Sequence, residues 1–127
     1  MKRLLILFIA IVIILIAAAL VQQRIHLQVH DVRDNFVTLQ SLVSQQETIQ
    51  YRALCDQIIH TWDAQRESWE VFIDHTTLDE TERDIYCLQG YLDHNASTAM
   101  CIGLIKRIQA QLVQIDLQTR MTWGHLF

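Results

Sequence analysis

The sequence predicts an all-α protein, in which an amino-terminal transmembrane helix continues into an antiparallel up-down bundle of about four helices. The 127 residues include no proline and only three glycines, which is too little turn chemistry for a sheet protein of this size. An uninterrupted apolar run opens the chain. After it, apolar residues recur at steps of three and four, the spacing that places them on one face of a helix.

The apolar run Leu4–Val21 predicts a membrane-spanning helix. Its eighteen residues at about 1.5 Å each form a helix about 27 Å long, close to the thickness of the hydrocarbon core of a bilayer. Lys2 and Arg3 precede the run, which favours a cytoplasmic amino terminus. We therefore predict a single-pass protein of the cell membrane, with a signal-anchor helix over residues 1–23, lipid contact through residues 4–21, and an extracytoplasmic helical bundle over residues 24–127.

A cleaved signal peptide is the alternative for this segment. Ala17–Ala19 has the small-residue pattern of a cleavage site, and Leu4–Leu15 has the length of the hydrophobic region that precedes one. The run continues through Leu20 and Val21, and no helix breaker separates it from the next amphipathic segment. These two features favour an uncleaved anchor, and cleavage remains open.

Four amphipathic segments follow the apolar run, and each predicts a helix with one apolar stripe. The polar stretches 44–48 and 93–97 predict turns, with the second helix running from about Thr48 to Asp74. Because the connections are short, neighbouring helices should be antiparallel. The consensus residues of tetratricopeptide-like hairpins are missing, which favours a bundle over stacked hairpins. The stripes are Ile25, Val29, Val32, Phe36, Leu39 and Val43; Tyr51, Cys55, Ile58, Trp62, Gln65, Trp69 and Phe72; Leu78, Thr81, Ile85, Leu88 and Leu92; and Cys101, Ile105, Ile108, Leu112 and Ile115.

A run of carboxylates marks the start of the third predicted helix. Thr77 and Glu80 have the spacing of a capping box, with Thr77 as the N-cap. Asp79, Glu80 and Glu82 would then lie in the first turns, where the helix dipole favours anions. The carboxylates therefore have a structural explanation.

The same region contains the residues that come closest to an acid–base set, Asp74, His75 and Asp79. A histidine beside carboxylates can titrate near neutral pH, but no candidate nucleophile has a recognisable setting. We expect His75 to buttress the turn by hydrogen bonds. Trp62 and Trp69 lie seven residues apart on a predicted core stripe, which favours core packing over a ligand cage. We predict no catalytic residues and a protein that is not an enzyme.

Two further groups are weighed as metal or redox sites. His26 and His30 are four residues apart on one helix, with Asp34 one turn further on, but a third fixed ligand is not apparent. We predict no metal site and no cofactor. The three cysteines lack the spacing of a zinc site. Cys87 and Cys101 are placed symmetrically about the last turn, so a disulfide between them remains open.

The formal charge of −4 argues against nucleic-acid binding, which needs a basic surface. The remaining hypotheses are a structural or protein-interaction module at the outer face of the membrane and a sensor-like bundle. The first would bind a membrane or envelope protein, or itself. The second would bind a small ligand or a cation and would need a membrane partner to carry the signal.

The chain resembles the bacterial domain-of-unknown-function 4363 family, short proteins mainly of Firmicutes. The resemblance rests on Trp62 and Trp69 at this spacing, on the run Ile73–His75 leading into Leu78, and on the short tail that closes on Leu126–Phe127. It implies one amino-terminal membrane helix and a helical remainder, and it brings no known activity.

The tail carries a separate prediction. Trp123, Leu126 and Phe127 are apolar or amphipathic, and tryptophan favours the interface between headgroups and hydrocarbon. We expect the fourth helix to return this tail to the level of the membrane. At that level the tail would contact lipid or a membrane partner. The alternative is that the tail folds back and caps the core of the bundle.

Overall fold

The protein is an up-down bundle of four helices in a computed structural model, which describes the backbone of residues 1–126 and the side chains of residues 1–120. Consecutive helices pack against each other, and the last helix packs against the first. This confirms the predicted all-α bundle. The helices are α1 (Lys2–Ser44), α2 (Thr48–Trp69), α3 (His75–Asp93) and α4 (Thr98–Leu126).

The order of contacts gives the bundle four sides, because the diagonal pairs of helices do not approach each other within the described residues. We call the side formed by α1 and α4 the α1–α4 face and the opposite side, formed by α2 and α3, the α2–α3 face. We call the end where α1 enters the bundle the proximal end. The α2–α3 turn and the carboxyl-terminal half of α4 lie at this end, since the helices are antiparallel.

The helix α1 has two parts with different surroundings. Its apolar segment, Leu4–Val21, is long and apolar enough to cross a membrane, and none of it is buried in the fold; no other helix in the described part of the chain meets that criterion. A signal sequence would have the same length and composition. From Ile25 to Val43 the helix instead buries about one residue per turn against the rest of the bundle.

The core of the bundle follows the four predicted stripes. Every residue of the first, third and fourth stripes is buried, and so are Cys55, Ile58, Trp62 and Trp69 of the second. Tyr51, Gln65 and Phe72 of the second stripe are half-buried. Ile59 and Ile73 are additional buried residues. Each large apolar side chain contributes about 1.5–3 kcal/mol by burial, so these stripes supply most of the cohesion.

The turns at the distal end lie where the polar stretches predict them. Gln46 adopts a φ of 58° in the α1–α2 turn and Asn95 a φ of 56° in the α3–α4 turn, the left-handed conformation that often ends a helix. The Ser97 hydroxyl accepts a hydrogen bond from the backbone N–H of Met100 at 3.3 Å. Ser97 thus acts as the cap of α4.

The predicted boundaries at the α2–α3 turn are wrong. The helix α2 ends at Trp69 rather than near Asp74, and α3 begins at His75 with Asp74, not Thr77, as its N-cap. Asp74 Oδ1 accepts a hydrogen bond from the backbone N–H of Thr77 at 2.9 Å. An aspartate is a stronger cap than a threonine and is also favoured by the helix dipole, so the helix starts one turn earlier.

The carboxylates of the predicted capping box consequently have other positions. Asp79, Glu80 and Glu82 lie beyond the first turn of α3, which holds no acidic residue. The predicted membrane contact of Trp123, Leu126 and Phe127 falls outside the described side chains, although the backbone of α4 is helical to Leu126.

Candidate functional site

A cluster of charges at the proximal end is centred on Arg66, near the end of α2. Its guanidinium lies 2.6 Å from Glu82 Oε2 and 3.4 Å from Glu70 Oε1, and it also contacts Asp79. Glu82 accepts a further hydrogen bond from Trp62 Nε1 at 3.1 Å. The hydrogen bonds to Glu82 and then to Asp79 raise the pKa of Arg66. The cluster joins α2 to α3. Its charged groups pair with one another inside the protein.

The three residues weighed as an acid–base set make separate contacts. Asp74 caps α3 and also accepts a hydrogen bond from the Thr77 hydroxyl at 3.2 Å. The bond from the Thr77 backbone N–H keeps the pKa of Asp74 below its ordinary value. His75 Nδ1 lies 3.8 Å from the Glu70 carboxylate, which is too far for the predicted hydrogen bond. Asp79 belongs to the guanidinium cluster, so the structure does not bring the three groups together.

The two histidines weighed as metal ligands also have different partners. His26 Nδ1 donates a hydrogen bond of 2.6 Å to Asp116 Oδ1, and the buried Asp116 also lies 3.3 Å from Arg120. His30 Nε2 lies 3.5 Å from Asp34 on its own helix. Among the described residues, no group of three histidine, cysteine or acidic side chains is arranged to hold a metal ion. The His26–Asp116 bond instead joins α1 to α4.

The two tryptophans form part of the core, as predicted. Both are fully buried, and their rings meet edge to face with centroids 5.2 Å apart. Trp69 Nε1 donates a hydrogen bond to Gln28 Oε1 at 2.8 Å. The polar atom of each indole is therefore hydrogen-bonded inside the bundle. Because both rings are buried, neither presents a face to a ligand.

All three cysteines are free thiols. Cys55 and Cys101 are buried and Cys87 is exposed, so Cys87 and Cys101 are not paired in the structure. Burial, followed by the charges of Asp56 and Asp93, raises the pKa of Cys55 to about 12. A thiol with so high a pKa is a poor nucleophile because the thiolate is the reactive form.

The cavity at the distal end is small. It lies between the ends of the helices, beside Val43, Leu92 and Cys101, and has a volume of about 160 Å³. Sites for small organic ligands usually have volumes of about 300–1,000 Å³. This cavity is therefore smaller than a typical site for a small organic ligand.

The α1–α4 pair and the α2–α3 pair of helices differ in charge. The segment 45–97, which includes α2 and α3, carries eleven acidic and three basic residues, a net charge of −8. The segments 24–44 and 98–120, from α1 and α4, carry three acidic and five basic residues, a net charge of +2. The negative charge of the protein is thus concentrated in the segment that contains α2 and α3.

The α1–α4 face also exposes apolar side chains. Val37 is 61% exposed, Val113 is 39% exposed and Leu117 is 50% exposed. With Ala110 they line shallow grooves along α1 and α4. We call these four residues the α1–α4 patch. Sequence reasoning missed the patch because these residues lie off the regular stripes.

Comparison with known proteins supports the resemblance drawn from the tryptophan spacing. A family model described as a domain of unknown function (DUF4363) matches residues 19–124. No curated protein and no solved structure matches the chain. The matched region covers most of the chain, including all four stripes, and the chain therefore belongs to the DUF4363 family.

Proposed function

We propose that the protein is a single-pass membrane protein whose bundle acts as a protein-interaction module outside the cytoplasm, at the outer face of the cytoplasmic membrane of a bacterium. The observation that carries this proposal is the continuity of α1. The exposed apolar segment Leu4–Val21 and the first helix of the bundle are one uninterrupted helix. An apolar surface of this length is stable only when it is covered, and a bilayer covers it on every side.

The orientation rests on the residues that flank the apolar segment. Lys2 and Arg3 precede it, and positive residues are retained on the cytoplasmic side. The bundle would then lie outside the cytoplasm, close to the lipid surface, since few residues separate Val21 from the first buried bundle residue, Ile25.

An interaction role is supported by how the polar residues of the bundle are used. The charged clusters around Arg66 and Asp116 join neighbouring helices, and the tryptophans fill the core. What remains available to other molecules is the exposed surface of the bundle. The protein would therefore act by binding another envelope protein or a second copy of itself, with no catalytic step.

The proposed topology can be tested with a carboxy-terminal reporter that is active only outside the cytoplasm. We expect an active reporter on a membrane-bound fusion protein. A silent reporter on a well-expressed, membrane-bound fusion would reverse the topology. Release of a shortened protein that begins near Leu20 would instead show that the apolar segment is a cleaved signal peptide.

The interaction role can be tested separately, by purifying the protein in mild detergent and identifying what accompanies it. We expect a stoichiometric protein partner or a defined oligomer. A retained small molecule or metal ion in place of a protein would favour the sensor-like alternative.

A further inference from the structure

We propose that the α1–α4 face binds a second copy of the same chain. The two copies would pack face to face about a twofold axis that runs parallel to the helices. This inference rests on the proposed function, because anchors in one membrane orient both copies in the same direction. It adds the identity of the partner and the surface that it binds.

The α1–α4 patch provides the apolar centre of this interface. Val37, Val113 and Leu117 remain exposed although the bundle has a complete core. Apolar residues exposed together in a groove between two helices are typical of a site that packs against another helix. The flanking residues His30, Arg33 and Asp34 would form a polar rim.

The distribution of charge favours this face over the opposite one. The segment 45–97 carries a net charge of −8, so two α2–α3 faces would repel each other, since like charges across an interface oppose association. The segments 24–44 and 98–120, from α1 and α4, have a smaller net charge of +2, from three acidic and five basic residues. Of these two opposite faces, the α1–α4 face therefore meets its own copy with the weaker repulsion.

The register of α1 and α4 supplies a pair of complementary charges. His26 lies beside Asp116, and the two helices are antiparallel, so eight residues further along α1 Asp34 lies at the level of residue 108. Lys106 is two residues from that level, or about 3 Å along the axis. Both Asp34 and Lys106 are exposed, and Lys106 has no ion pair among the described side chains.

A twofold axis parallel to the helices places α1 of one copy against α4 of the other. Each Asp34 then faces Lys106 of the second copy at nearly the same height, and the arrangement forms this pair twice. The same operation brings the two apolar patches together at the centre. An isologous interface of this kind is self-complementary and closes at two subunits.

The test uses the full-length chain, labelled with donor and acceptor dyes and reconstituted in lipid vesicles. Energy transfer is measured as the ratio of protein to lipid is raised. We expect transfer to saturate for the unmodified protein. We expect Val113→Glu to weaken association about tenfold or more, since it places a charge at the centre of an apolar contact.

Two controls make the result specific. Val71→Glu is matched to Val113→Glu, because Val71 is a 74% exposed valine in the α2–α3 turn, and it should leave transfer unchanged. Asp34→Lys and Lys106→Asp should each weaken association because like charges then face each other, whereas the double variant should restore it. The thermal unfolding of each variant, followed by circular dichroism, confirms that the bundle is intact.

Several results would overturn the proposal. These are a lack of transfer at any protein density, transfer that Val113→Glu does not change, and a double charge variant that associates no better than the single ones. Flotation of the same vesicles tests the anchor independently. A chain that fails to float with lipid would contradict the proposed function, whereas normal flotation without transfer would contradict self-association alone.

Discussion

The two halves of α1 differ in how their apolar residues are arranged, although the helix is continuous. In the segment Leu4–Val21 every residue is apolar, and none is buried in the fold. In the segment Ile25–Val43 the apolar residues at steps of three and four form the buried stripe, and most of the other positions are polar. One helix thus presents two kinds of surface.

This difference shows that the pattern of apolar residues, more than their number, identifies the surroundings of a helix. A helix that is apolar on every side requires an apolar medium all around it, whereas a helix with one stripe requires a partner on one side. For Ile25–Val43 the partners are α2 and α4. For Leu4–Val21 the fold offers none, and the proposed bilayer would provide the covering.

The largest effect that separates the two halves is expected from a matched pair of phenylalanines. Phe36→Ala should destabilise the bundle by about 3–5 kcal/mol, because Phe36 is fully buried and its removal leaves a cavity. Phe8 is exposed in the apolar segment, so Phe8→Ala should leave unfolding of the bundle unchanged. Chemical unfolding of the detergent-solubilised protein measures both, and equal effects would contradict the distinction.

A charge introduced into each half should have its larger effect in the apolar segment and its smaller effect in the bundle half. Ile13→Arg places a charge near the middle of the apolar segment, and we expect it to cost about 2.5–3.5 kcal/mol of membrane insertion. Leu27→Arg, at an exposed position beyond that segment, should be tolerated. Extraction of membranes at alkaline pH separates integrated from released protein. Full integration of the Ile13→Arg variant would count against a spanning helix.

A smaller effect is expected beside the junction of the two halves, where the α2–α3 turn lies. Asp74→Ala should lower the melting temperature near neutral pH, because it removes the cap of α3. The pKa of Asp74 is lowered in the folded state, so its contribution is fully present above its ordinary value of 3.8 and is lost as the pH falls through the lower folded-state pKa.

The two melting temperatures should therefore converge in acid. Paired thermal melts of the unmodified protein and Asp74→Ala across the acid range provide the measurement. A difference that stays constant down to the most acidic pH would show that the ionised carboxylate is not what caps the helix. Asp74→Asn, which keeps a capping oxygen, is the matched control.

The bundle could be predicted from the sequence because the buried residues of each helix are apolar and recur at regular steps. The residues from Ile25 to Val43 and from Cys101 to Ile115 that recur at steps of three and four are the buried ones. The start of α3 could not be fixed, since Asp74 and Thr77 are both capable caps and are separated by one turn. The local sequence pattern does not decide between two possible caps. In the structure the stronger cap, Asp74, begins the helix.

The side-chain contacts between helices could not be predicted from the sequence either. Asp116 follows a stripe residue, Ile115, which signals a carboxylate at the edge of the core, but its partner His26 is ninety residues away. Choosing that partner requires the register of α1 against α4. The Arg66 cluster has the same origin, because only its i,i+4 contact with Glu70, the residue that follows α2, is local in sequence.

The central claim, that α1 holds the bundle outside the cytoplasm, can be tested directly through Cys87. This thiol is exposed, whereas Cys55 and Cys101 are buried, so a membrane-impermeant thiol reagent added to intact cells reports on one site. We predict that Cys87 is labelled without permeabilisation and that Cys87→Ser abolishes the labelling. Labelling that appears only after the cells are permeabilised would place the bundle in the cytoplasm and contradict the account.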